Sequence, residues 1–240
     1  MSEIPITIKA WGDFACFTAP EMRVERVSYP VMTPSAARGV LEAIFWKPQI
    51  RFEVDRIAVL KEIQFMSVRR NEIQDTVTVQ GKAGVNAWMN DPSKFKPYLV
   101  DSAGRGDVQG ENRTQRNSVI LQDVAYLIFA RLIVKQPTPE DNPQKYHEMF
   151  TRRAAAGQCF RQPYFGIREY AAHFGEPDGT ERPIPETRDL GVMLYDLDFG
   201  KAVAAGVYPN KKALFAPARL ENGILDVMQM RANLYQRVQS

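Results

Sequence analysis

FTRRAAAGQCFRQPYFGIREY, Phe150 to Tyr170, sets the reading of the whole chain, because it joins the end of one helix to an expected strand through two glycines and a proline. Arg152 and Arg153 sit where cations complement the negative end of a helix dipole, and Gly157 is placed to take the left-handed conformation that closes a helix. The strand is expected from Tyr164 to Phe174. Four arginines (Arg152, Arg153, Arg161 and Arg168) against Glu169 give the stretch a charge of +3, equal to that of the entire chain. Phe160, Tyr164, Phe165 and Tyr170 lie among them, which is how a surface that grips phosphates and stacks bases is composed. Buried cores also use such rings and solvated faces such arginines, so composition alone leaves both readings open.

Working outward, Asn142 and Pro143 read as the cap and first turn of the helix that ends at Gly157, with Tyr146, Met149, Phe150 and Ala154 as its buried stripe. An earlier helix has the same grammar. Thr33 caps it, Pro34 enters its first turn, Ala37, Val40, Leu41 and Ile44 repeat at helical spacing, and Pro48 ends it. Alternating Ile4, Ile6 and Ile8 open the chain as a strand, further strands are expected at Phe52–Leu60 and Glu62–Ile73, and Asn117–Val134 reads as one long strand or as two joined at a bulge near Gln122 and Asp123. The pattern predicts an α+β fold: a ferredoxin-like (RRM-like) βαββαβ domain over residues 1–174, whose sheet RNA-recognition modules use, though their aromatic signature is absent here.

Between about 74 and 114 the periodicity fades among glycines, which predicts a long insertion, a projecting hairpin or flap. GRGDVQG lacks the spacing and the strand-to-helix setting of a dinucleotide fingerprint. GEPDGTERPIPE predicts a linker over 175–188. A small antiparallel β-sheet C-terminal domain is expected over 189–240, from strands at Leu190–Phe199, Leu214–Leu220 and Ile224–Met230, with Asn222-Gly223 as a hairpin turn.

Glu176 to Asp198 holds seven acids and two arginines, so the remainder of this 240-residue chain carries +8, the balance of a body that faces a polyanion. Cys16 and Cys159 make no framework, the N-terminus lacks the pattern of a signal peptide, and no run approaches membrane-spanning length, which together predict a cytoplasmic location and no membrane partner. Two histidines, His147 and His173, exclude a histidine-rich metal site, and each is a candidate proton acceptor. Asp196 and Asp198, expected on one strand face, are the residual magnesium option. Cutting RNA without metal needs only a base for the 2′-hydroxyl, cations at the phosphate and an acid for the leaving oxygen.

MTPSAARGVLEAIFWKP (Met32 to Pro48), NRTQRNSVILQDVAY (Asn112 to Tyr126), GQCFRQPYFGIREY and LENGILDV (Leu220 to Val227) together resemble the CRISPR-associated proteins of the fifth Cas family, subtype I-C variant. The resemblance implies a metal-independent endoribonuclease, with no cofactor, that cuts precursor CRISPR RNA in the repeat stem-loop to leave a cyclic phosphate. It implies CRISPR repeat RNA and the other subunits of a type I-C surveillance complex as partners. The family's tyrosine position falls on Phe45 or Trp46, and its lysine and histidine positions on Arg116 and Asn117. Asn117 is no efficient proton acceptor, so the alternative is a non-catalytic structural subunit that caps the 5′ end of the guide RNA. Expected RNA contacts are Arg23, Arg26, Arg38, Lys47, Arg69, Arg70, Arg113, Arg152, Arg153 and Arg161, beside Arg116.

Overall fold

The computed structural model describes residues 3–22, 24–73, 84–95, 113–136, 138, 141–198 and 212–238. The chain divides into two compact units, one of Met1–Met66 with Val119–Ser240 and one of Ser67–Ser118. In order the elements are β1 (Glu3–Ala15), α1 (Pro34–Ile44), β2 (Ile50–Val59), β3 (Gln64–Ile73), α2 (Val85–Asn90), β4 (Arg113–Val134), α3 (Pro143–Ala155), β5 (His173–Gly175), β6 (Arg188–Asp198), β7 (Lys212–Glu221), β8 (Ile224–Asp226) and α4 (Val227–Val238). This is a mixed fold of one mostly antiparallel sheet and few helices. The strands run β5-β1-β4-β2-β8-β7-β6, with β3 beside β4. No described helix is long and apolar enough to cross a membrane.

Both main helices begin as their sequences require. Thr33 Oγ1 accepts from the Ala36 N–H at 3.3 Å, and Asn142 Oδ1 accepts from the Lys145 N–H at 2.8 Å, each satisfying an amide that the first helical turn leaves unpaired. Gly157 closes α3 at φ +63°. The apolar face of α1 (Ala37, Val40, Leu41, Ile44) and that of α3 (Tyr146, Phe150, Ala154) pack on alternate residues of β1, β2 and β4, Ile8, Phe52 and Ile128 among them. Phe52 and Phe150 meet with ring centroids 5.6 Å apart. The four strands β5-β1-β4-β2 thus carry α1 between β1 and β2 and α3 between β4 and β5.

β4 is a single strand, and Asp123 is its irregular point at φ +50°. The register with β1 is nonetheless the same on both sides, Gly12 facing Val124 and Phe14 facing Gln122. Two expected strands are corrected. Tyr164 to Phe174 is mostly a looped excursion closed by a Tyr164–Ala171 bridge, and only His173–Gly175 joins the sheet, because Gly166 at φ +82° turns the chain away. Ile224 to Met230 is strand only as far as Asp226. There the carboxylate accepts from the Gln229 N–H at 2.9 Å and starts α4, whose Val227, Met230 and Leu234 pack at helical spacing.

The C-terminal strands are not set apart. β8 pairs with β2, Arg56 opposite Asp226 and Ala58 opposite Ile224, so β6 to β8 extend the same sheet. The acidic stretch 176–187 is tied down on the way there. Lys9 points away from the helices, since Ile8 and Ala10 on either side of it are core, and its Nζ lies 3.0 Å from Glu181. Three residues on, the Ile184 N–H donates to the Val59 carbonyl at 2.9 Å, and Glu186 O accepts from the Gly223 N–H at 2.8 Å. Because Lys9 and Val59 lie on β1 and β2 with β4 between them, this segment crosses the sheet on the face opposite α1 and α3. Of the expected insertion, 74–83 and 96–112 lie outside the described residues; α2 and a short 3-10 turn at Pro92–Lys94 belong to the unit Ser67–Ser118.

Candidate nucleic-acid interface

The C-terminal end of α1 is where the Phe150–Tyr170 stretch docks. The Phe160 and Arg161 amides donate to the Ala43 carbonyl at 2.9 and 3.1 Å, satisfying an acceptor that the last helical turn cannot. Farther along, the Cys16 N–H donates to Phe165 O at 3.0 Å, and Gly166 packs so closely on Cys16 that a Cβ there would fall on its carbonyl oxygen. Phe165 is the buried anchor, its ring edge-on to Phe17 and Tyr126. The loop is therefore clamped at both ends, and its polar side chains are displayed rather than packed.

Phe160 is 63 % exposed, Tyr164 38 % and Trp46 49 %, so three aromatic rings stand on the surface around this helix end. Phe45, by contrast, is 1 % exposed. Its ring lies against Tyr146 at 6.3 Å and under the Arg153 guanidinium at 5.5 Å, committed to packing. Lys47 and Arg152 are exposed, and Arg161 lies 5.9 Å from the Phe160 ring.

Beside α1 a groove of about 440 Å³ is lined by Ser35, Gly39, Glu42, Arg161, Tyr164 and Asp196, among others. Arg38 spans it, donating to Glu42 at 2.9 Å and to Asp196 at 2.7 Å. That guanidinium ties α1 to β6 instead of pointing freely outward, and its Nε is buried without a partner among the described residues. The same pair answers the magnesium option, since a guanidinium stands against Asp196 where a cation would bind. Asp196 also follows a register shift after Leu194 in the β6–β7 ladder.

The remaining expected residues scatter. Arg26 is half-buried, and its Nε has no partner among the described residues. Arg69 is exposed and Arg70 half-buried, both in the unit Ser67–Ser118 with Arg116 and the exposed Asn117. Within that unit Arg116 lies 3.5 Å from Glu72. Arg23 lies outside the described residues, and of Arg113 only the backbone is described. On the sheet platform the exposed Arg56 lies 5.0 Å from the Phe129 ring, while the other described cations of β1, β2 and β4 are engaged by carboxylates. Arg131 is held by Asp55 at 3.0 Å and Glu53 at 3.1 Å, and Lys9 by Glu181. His173 stacks on Trp11 at 5.9 Å.

Tyr146 donates its hydroxyl to Asp141, and burial together with that bond pushes its pKa up to about 12. His147, the next residue, is half-buried on α3. Gly39 and Glu42 were not among the expected site residues, and Asp196 was expected only as a magnesium ligand. Glu42 and Gly39 had a signal in their helical spacing from Arg38 and Ala43, whereas Asp196 reaches the groove only through tertiary structure.

A chain folded this way has the architecture of a CRISPR-associated protein: it superposes on a crystal structure of one with a TM-score of 0.61 at 20 % identity, covering 94 % of this chain and 93 % of that one. A functionally uncharacterized protein from Streptococcus mutans gives 0.60 at 18 % identity, with the same coverage of each chain. Residues 6–228 match the family model for the Cas5d type, described as CRISPR-associated protein (Cas_Cas5), and the chain belongs to that family. It is 44 % identical over 231 residues to the CRISPR pre-crRNA endoribonuclease Cas5d of Mannheimia succiniciproducens, covering 92 % of this chain and 94 % of the relative. To the protein of the same name from Thermus thermophilus it is 43 % identical over 194 residues, 81 % of this chain and 73 % of that one.

Proposed function

We propose that this protein is an endoribonuclease that cuts precursor CRISPR RNA in the repeat stem-loop without metal and then holds the 5′ handle within a type I-C surveillance complex in the cytoplasm. The observation that carries this is the 44 % identity, spread over 92 % of the chain, to a relative named for that activity. The displayed cations and rings at the end of α1 give the RNA a place to lie. In this reading the β5-β1-β4-β2 half is ferredoxin-like over 1–174 with its insertion at about 74–114, residues 175–188 connect, and 189–240 form the C-terminal β part. RNA approaches from the helix side, because the opposite face is crossed by the acidic segment.

Cleavage requires a base to take the proton of the 2′-hydroxyl, whose oxygen then bonds to the adjacent phosphorus as the bond to the 5′-oxygen breaks and that oxygen is protonated. Asn117 and Phe45 have no group for this. Tyr146 stays protonated at neutral pH and His173 is stacked on the crossed face, so in this reading the half-buried His147 of α3 is the proton acceptor. Trp46 takes the stacking role at the exposed tip of α1. Arg116 meets phosphate from its own unit, where its 3.5 Å pairing with Glu72 is of the weak kind that a phosphate replaces.

In excess EDTA, purified protein is expected to cut repeat RNA and to leave the same RNA intact when the nucleotide 5′ of the cut is 2′-deoxy. Cleavage of the deoxy substrate excludes this chemistry. Binding of both with cutting of neither overturns the nuclease and favours the second reading, a non-catalytic subunit that caps the 5′ end of the guide RNA, as the absence of titratable groups at Phe45 and Asn117 also does. Arg161→Ala is expected to flatten the dependence of log K on log salt by about one unit, measured by titrating repeat RNA at several salt concentrations. An unchanged slope removes Arg161 from the interface.

A further inference from the structure

We infer that the groove beside α1 is a base-reading pocket that takes one unpaired guanine of the bound RNA; this rests on the RNA-binding reading above and adds the nucleotide it selects.

The first observation is Gly39. A glycine inside a helix is destabilising by roughly 1 kcal/mol against alanine. Here neither backbone nor packing asks for one: its φ is not positive, and a Cβ would meet nothing within 4 Å. What the missing side chain leaves is open space on the groove wall. The groove's volume of about 440 Å³ is within the range of small-ligand sites.

The second observation is the polar lining. Arg38 holds Glu42 through Oε1 at 2.9 Å and Asp196 through Oδ1 at 2.7 Å, fixing both carboxylates in place. Among the described residues, Oε2 of Glu42 and Oδ2 of Asp196 accept no hydrogen bond. One cation between two carboxylates leaves that cluster a net charge of −1, offset at the rim by Arg161, so the free carboxylate oxygens favour a neutral group rich in donors over a phosphate. Guanine presents two adjacent donors, N1–H and the N2 amine, on one edge. Adenine and cytosine set a single amine beside an acceptor, and uracil's one N–H is flanked by carbonyls. At the rim, Arg161 and Tyr164 supply a cation for that nucleotide's phosphate and a ring to stack on. Arg38 is then a positioning residue, holding the acceptors that read the base.

The test uses the full chain and labelled RNA hexamers of uridine carrying one guanosine, inosine or adenosine, followed by fluorescence anisotropy beside repeat RNA. Wild type is expected to bind the guanosine hexamer about tenfold tighter than either other, inosine lacking only the N2 amine. Gly39→Leu, which adds a better helix former and fills the groove, is expected to abolish that preference without lowering Tm, and Glu42→Gln to erase the discrimination against inosine. Absence of guanine preference in wild type that still binds repeat RNA, or its persistence in Gly39→Leu, overturns the pocket. Failure of wild type to bind repeat RNA at all overturns the RNA-binding reading beneath it.

Discussion

His147→Ala is expected to slow cleavage of repeat RNA by about 10²- to 10⁴-fold in single-turnover assays, the usual effect of losing a positioned proton acceptor. The dissociation constant for uncut RNA should change little, since the cations and exposed rings are untouched. Imidazole added to the buffer is expected to restore part of the rate in the variant and not in wild type, a response that a merely structural histidine would not give. His173→Ala is the control: its ring stacks on Trp11 at 5.9 Å on the side of the sheet crossed by residues 176–187, and its loss should leave the rate within about threefold. If the two variants exchange behaviour, the chemistry sits on the other face of the sheet and the placement of RNA on the helix side fails with it.

Gly166→Ala is expected to destabilise the protein by about 3 kcal/mol or more, read as a fall in Tm of roughly 6–12 °C. Two effects add. At φ +82° any Cβ is strained, and at this position it also lands on the carbonyl oxygen of Cys16, backbone that cannot step aside. Because the same contact seats the loop bearing Arg161 and Tyr164, RNA binding should weaken even below the melting transition. Gly179 separates the two effects. Its φ is +83° but nothing lies within 4 Å of its Cβ, so Gly179→Ala should be destabilising by only about 1–2 kcal/mol. Equal losses at both sites would mean that crowding against Cys16 contributes nothing.

What could be read from the sequence was local. Thr33-Pro34, Asn142-Pro143, Gly157 and Asn222-Gly223 each act within a few residues of themselves, and each does in the structure what its chemistry requires. The start of α4 was missed because Ile224 to Met230 is apolar enough to pass for a strand, while its helix signal, Asp226 as cap with Val227, Met230 and Leu234 in phase, needs a longer window. Phe150–Tyr170 was correctly composed for display at Phe160, Tyr164 and Arg161. Its path was not legible, since the φ of Gly166 answers to Cys16, 150 residues earlier. The same distance hid the groove: Arg38 and Asp196 are 158 positions apart. Asp196 looked like half of a metal pair only while its guanidinium partner was unknown.

The pairing of β8 with β2 has a consequence for biosynthesis. β2 is complete at Val59, yet the strand that covers one of its edges begins at Ile224. At roughly 5–20 residues per second, a ribosome needs about 8–33 s to make the intervening chain, and for that time the nascent polypeptide offers neighbours a bare row of amides and carbonyls. Emergence of Ile224–Asp226 from the ribosome is the moment when that edge gains its partner.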